Sequence, residues 1–115
     1  MKNTLLNVTI NTTDALGLAR WWAAAFDGEI VAENDGWFVI VSLGEGRTGL
    51  AFQRVDDPAQ GNRIHFDFGV ADRAEAVTRL VDAGAVLVAE RSMPEFSWTV
   101  LADPEGNEFC VATHH

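Results

Sequence analysis

From Leu5 to Thr12 apolar and polar residues alternate, which predicts a β-strand, because successive strand side chains point to opposite faces. Asp14 then stands where a helix N-cap belongs. Ala19, Trp22, Ala23 and Phe26 recur at the i, i+3, i+4, i+7 spacing that lines one helical face, and Gly28 is placed as a left-handed stop. Short strands are predicted over 29–33, 36–43 and 48–55, divided by the turn signals Asn34-Asp35-Gly36 and Gly44-Glu45-Gly46. The same order then returns. A strand over 63–70 leads to Asp72 and Glu75, spaced like a capping box, and to a helix with Val77, Leu80 and Val81 on its buried face and Gly84 at its end. Strands over 85–90, 96–102 and 107–113 follow, the last two joined by Asp103-Pro104-Glu105-Gly106, where Pro104 sets the turn.

The repetition extends to particular residues. Gly49-Leu50-Ala51-Phe52-Gln53 matches Gly106-Asn107-Glu108-Phe109-Cys110 about 57 residues later, a period too long for a solenoid repeat. Two βαβββ modules, over about 4–55 and 63–113, are therefore predicted within one domain of 115 residues. Residues 56–62, with Pro58, Gly61 and two aspartates, form the linker.

Composition narrows the function classes. No stretch approaches the roughly 20 apolar residues that cross a bilayer, and the lone Cys110 has no partner for an internal disulfide, so a cytoplasmic protein is expected. Eight basic against seventeen acidic residues leave a net charge of −9, which repels nucleic-acid and lipid phosphates. Neither nucleic acid nor membrane is an expected partner. The acidity serves solubility or attracts a cationic small molecule; total charge does not separate the two. No Gly-x-Gly-x-x-Gly, phosphate-binding loop or Cys-x-x-Cys is present.

Strand alternation sorts the polar side chains by face. Val8 and Ile10 belong against a helix, leaving Asn7, Thr9 and Asn11 opposite. Phe66 and Phe68 point inward, with His65, Asp67 and Gly69 on the other face. Leu50 and Phe52 oppose Ala51 and Gln53, while Phe109 and Val111 oppose Glu108 and Cys110. On the residues alone, this second face is equally a solvated polar surface. Trp22 fits the helix core, and Trp21, about 100° around the helix, fits a partly exposed edge or a subunit contact. Trp37 and Trp98 fall on predicted strands, where they divide evenly between core packing and a flat wall for an organic ligand.

The strand-helix opening of each half, together with Asp103-Pro104-Glu105-Gly106-Asn107-Glu108-Phe109-Cys110, resembles the vicinal oxygen chelate superfamily, which includes glyoxalases, bleomycin-resistance proteins and dioxygenases, and in particular its small glyoxalase-like domains. The resemblance spans almost the whole chain. It implies an α+β fold in which two βαβββ modules form a curved, cup-shaped mixed sheet with the helices outside. The cup would hold the ligand, and two chains would pair as a homodimer.

Metal-dependent members of the superfamily take one ligand from the first and last strand of each module. By position these fall on Asn7, Gln53, His65 and Cys110. Only His65 and Cys110 are strong donors, whereas zinc usually takes at least three, so a cup without metal or other cofactor is the expectation; an ion, if held, would fall to His65, Cys110 and Gln53. The resemblance thus implies first a bleomycin-resistance-like protein that binds a small organic molecule, with cationic compounds among the candidates. Asn7, Thr9, Gln53 and Asp67 would line its site beside His65 and Cys110, with Trp37 and Trp98 as aromatic walls. The alternative is a lyase or isomerase that uses His65 with Glu108 or Cys110, with or without a divalent metal.

Overall fold

The computed structural model describes residues 3–94 and 96–114. Its elements are β1 (Thr4–Thr12), α1 (Ala15–Phe26), β2 (Glu29–Ala32), β3 (Phe38–Ser42), β4 (Gly49–Arg54), β5 (Ile64–Val70), α2 (Arg73–Asp82), β6 (Val86–Met93), β7 (Phe96–Ala102) and β8 (Glu108–Thr113). This is the predicted βαβββ order, twice over. The chain divides into two compact units, one of residues 7–64 and one of 65–115 joined by 1–6.

In the N-terminal unit the strands run β2-β3-β4-β1, with β1 and β4 parallel and the other pairs antiparallel. Ala15 and Ala19 of α1 close on Val39, Val41 and Phe52, all fully or almost fully buried, and Ile10, Trp22 and Ala23 pack around them. The small alanines let the helix backbone approach the sheet. Asp14 starts α1 by accepting a 3.0 Å bond from the Gly17 N–H. Its end differs from the expectation. Asp27 takes the left-handed conformation (φ 55°, ψ 36°), and Gly28 follows it, with its N–H on the Ala23 carbonyl at 2.8 Å. Gly28 is there for space: a Cβ would lie 2.8 Å from Val41 Cγ1 and 3.0 Å from the Ser42 carbonyl oxygen. Gly28→Ala is therefore expected to cost about 1–3 kcal/mol in a denaturant melt, and an unchanged midpoint would contradict this.

Phe26, predicted on the buried face, is 60% exposed. Its ring stacks on Trp22 (centroids 5.5 Å, 17°) at the last turn of the helix and does not enter the core. Asn34, Asp35 and Gly36 form the predicted turn, as three successive positive-φ residues. Because that turn delays the next strand to Phe38, Trp37 lies just before β3 in a helical conformation (φ −92°, ψ −24°) and is not a strand residue.

In the C-terminal unit the order is β5-β8-β7-β6, again with one parallel pair, β5 and β8. Asp72 caps α2 by accepting from the Glu75 N–H at 3.1 Å. Val70, Ala76, Leu101 and Val111 form the core, with Phe68, Val77, Leu80 and Phe109 around them. Val81, predicted to be buried, is exposed, while Ala76 is the fully buried residue of α2. Phe66 is exposed as well and meets Phe68 edge-on. Above α2's first turn, the Arg73 guanidinium bonds Glu90 and the buried Thr99 hydroxyl. The Asp103 carboxylate ties the turn before β8, accepting from the Glu105 and Asn107 N–H groups at 2.9 Å and from Asn107 Nδ2 at 2.8 Å.

The expected cup-shaped sheet is corrected. Among the described residues the strand order begins at β2 and stops at β6, with no pairing that joins these two. Alternation and duplication specify which strands pair; they carry no information on closure. Among the described residues no helix is long and apolar enough to cross a membrane.

Candidate metal centre

β5 and β8 run parallel in a register that sets Asp67 directly opposite Cys110. His65 lies two residues from Asp67 and so shares its face, and Glu108 shares the face of Cys110 for the same reason. All four side chains therefore leave one side of one strand pair, the side away from the Phe68, Phe109 and Val111 core.

Three of them converge. His65 Nδ1 is 3.2 Å from Asp67 Oδ1, with side chains only 10% and 16% exposed, and Cys110 Sγ is 4.0 Å from His65 Nδ1. One donor atom from each residue lies within 4.8 Å of the others. Burial pushes the Cys110 thiol far up; the charge of Asp67, a hydrogen bond to it and the charge of Glu108 push the same way, and only Arg91 opposes them. The protein alone thus keeps this sulfur as a neutral thiol, a poor nucleophile.

The donor set fits a metal ion. Imidazole, carboxylate and thiol are the ligands zinc takes at about 2.0–2.3 Å in a tetrahedral site. That geometry puts donor atoms roughly 3.3–3.7 Å apart, which the 3.2 and 4.0 Å separations bracket. A positive ion would also relieve the crowding of negative charge that holds the proton on Cys110.

The expected count of two strong donors is therefore raised to three, and the third is Asp67 where Gln53 was expected. Gln53 lies on β4 opposite Asn11 and Phe38, and Asn7 lies on β1 opposite Gly49. The two strand pairs are not in equivalent registers. If Asn7 corresponds to His65, then Thr9 corresponds to Asp67, and the residue opposite Thr9 is Ala51, not Gln53. Thr9 and Ala51 are both fully buried. Among the described residues, the convergent His, Asp and Cys donors all belong to the C-terminal unit. Alternation puts Phe38, in register with Gln53, on the face expected for Trp37. Trp98 lies on β7 opposite Ala112 of β8, on the His65 face of its unit.

Sequence reasoning missed Arg91. The strand predicted over 85–90 continues to Met93, and Arg91 pairs with Trp98 across β6 and β7. The run Ala89-Glu90-Arg91-Ser92-Met93 lacks the β-branched residues that mark strands, so only its pairing with β7 reveals it.

The duplicated βαβββ fold is that of a small glyoxalase-like domain. Residues 7–112 match the glyoxalase-like domain family, and the chain belongs to it, within the glyoxalase, bleomycin-resistance and dioxygenase superfamily. No curated protein matches the chain. Solved structures share its fold. Methylmalonyl-CoA epimerase from Mycobacterium tuberculosis superposes with a TM-score of 0.73 at 16% identity, over 96% of this chain and 87% of that one. A glyoxalase/bleomycin resistance protein/dioxygenase superfamily member from Vibrio splendidus gives 0.69 at 13% identity, over 98% and 100%. A hypothetical protein from Bacillus halodurans gives 0.72 at 12%, over 100% and 96%. At such identities the likeness is one of fold.

Proposed function

We propose that this protein is a metal-using lyase or isomerase of the glyoxalase-like type that acts on a small organic molecule at the His65, Asp67 and Cys110 site. The convergence of those three donors carries the reading, and it displaces the metal-free binding protein that the count of two donors favoured. A divalent ion held there would supply Lewis acidity toward a carbonyl oxygen of the bound molecule. The chain's own residues do the rest. His65, Asp67 and Cys110 would hold the ion, and Glu108, two residues from Cys110 and about 7 Å along the strand, would accept or return a proton on the substrate carbon beside that carbonyl.

A divalent ion also balances the Asp67 carboxylate and a Cys110 thiolate, which removes the main local reason to expect a cationic organic ligand. The reading keeps the expected homodimer, checked by sedimentation, and a cytoplasmic location.

The test is metal content. Protein dialysed against zinc and then against metal-free buffer is expected to retain about one ion per chain. Retention of less than about a tenth of an ion, at neutral pH and with the thiol intact, would overturn the proposal.

A further inference from the structure

We propose that the molecule taken at this site is a monocarboxylic acid with a flat apolar body, its carboxylate gripped by Arg91 and its body laid on Trp98. This inference rests on the metal-site reading for the ligand's other end.

The register of three strands sets out the parts. On the face that carries His65, Asp67 and Cys110, Cys110 stands opposite Val100. Trp98 is two residues along from Val100, and Arg91 lies across from Trp98 on the next strand. Sheet spacings put Trp98 about 8 Å and Arg91 about 12 Å from Cys110 between Cα atoms. The order along the face is therefore metal donors, indole, guanidinium.

The middle of this row is apolar and flat. Phe96 lies beside Trp98 with ring centroids 5.5 Å apart and planes inclined by 31°, and it is 51% exposed. On the side of Trp98 toward the metal donors, its neighbours on the face are the aliphatic Val100 and Ala112. Two tilted aromatic rings next to aliphatic residues suit a planar group.

Charge selects the end group. Arg91 is the only arginine or lysine that the strand registers place on this face among the described residues of the unit. A guanidinium recognises carboxylate through paired N–H donors. A phosphate dianion would suit the same fork but would bring a second negative charge to a chain of net charge −9, with Glu108 on the same face. A single negative charge is what one arginine balances.

Calorimetric titration of the zinc-loaded full chain with 3-phenylpropionate, 3-phenylpropionamide, 3-phenylpropylamine and phenyl phosphate tests this. The acid is expected to bind at least about tenfold more tightly than the amide, the worth of one charge-assisted pair. Arg91→Gln should erase that preference with zinc stoichiometry unchanged, and Trp98→Leu should weaken acid and amide together. Equal affinity for acid and amide, a preference that survives Arg91→Gln, or tighter binding of the amine or the phosphate would overturn the proposal. The same titrations on His65→Ala separate the two readings. An acid preference that persists there while wild-type protein fails to keep zinc removes the metal site and leaves the grip. Retained zinc without acid preference removes the grip and leaves the metal site.

Discussion

Truncation of Phe52 to alanine is expected to cost about 3–5 kcal/mol of folding free energy. Phe52 is wholly buried at the centre of the N-terminal unit, enclosed by Ala15, Ala19, Val39 and Val41. It sits on β4 between Ile10 of β1 and Val39 of β3, so neighbours fixed on both sides by sheet hydrogen bonds have little freedom to collapse into the vacated space. Domains of this size keep only about 5–15 kcal/mol in hand; the variant is expected to be largely unfolded in mild denaturant. Phe66→Ala is the matched control. The same side chain is removed from a half-exposed position, where surface substitutions cost about 0.5 kcal/mol or a little more. Urea titrations of the two variants should differ by more than about 2 kcal/mol, and similar midpoints would show that the core is wrongly placed.

Replacement of His65 by alanine is expected to weaken zinc binding more than about 100-fold, since loss even of groups that only support metal ligands costs about 10–100-fold. Asp67→Asn should fall short of that, because an amide oxygen keeps a neutral donor in place. Gln53→Ala should leave zinc affinity within about twofold, since the proposed donors all come from β5 and β8. A chelator competition assay reads all three. A large loss in Gln53→Ala with none in Asp67→Asn would restore the ligand set implied by family position.

Much of the fold is legible in the chain because its signals are local. Period-two runs, the Asp14 and Asp72 caps and the turns at 34–36 and 103–106 each report on a few neighbouring residues, and the repeated order leaves little choice of topology. Phe26, Val81 and Phe66 were misjudged because helical or strand periodicity names a face without saying how far the partner layer extends over it. Gly28 is legible as a helix stop, but its role depends on Val41 and Ser42 of β3, which are distant in sequence.

At the site, His65, Asp67, Glu108 and Cys110 were all placed on one face by alternation. That Asp67 and not Gln53 completes the donor set depends on the register between β5 and β8, a non-local quantity that differs by two residues from that of β1 and β4 once Asn7 is matched to His65 and Gln53 to Cys110. Matching the modules by sequence position alone hides that slip. Arg91 escaped for a related reason, as only the pairing of β6 with β7 reveals its strand.

The most direct test of the central claim is the spectrum of the cobalt(II)-substituted protein. Coordination by Cys110 predicts an intense sulfur-to-cobalt charge-transfer absorption in the near ultraviolet, together with the strong visible bands of a tetrahedral ion, and predicts that Cys110→Ser abolishes the former. Cobalt protein that lacks this absorption, or a Cys110→Ser variant that keeps it, would show that the cysteine does not bind the ion.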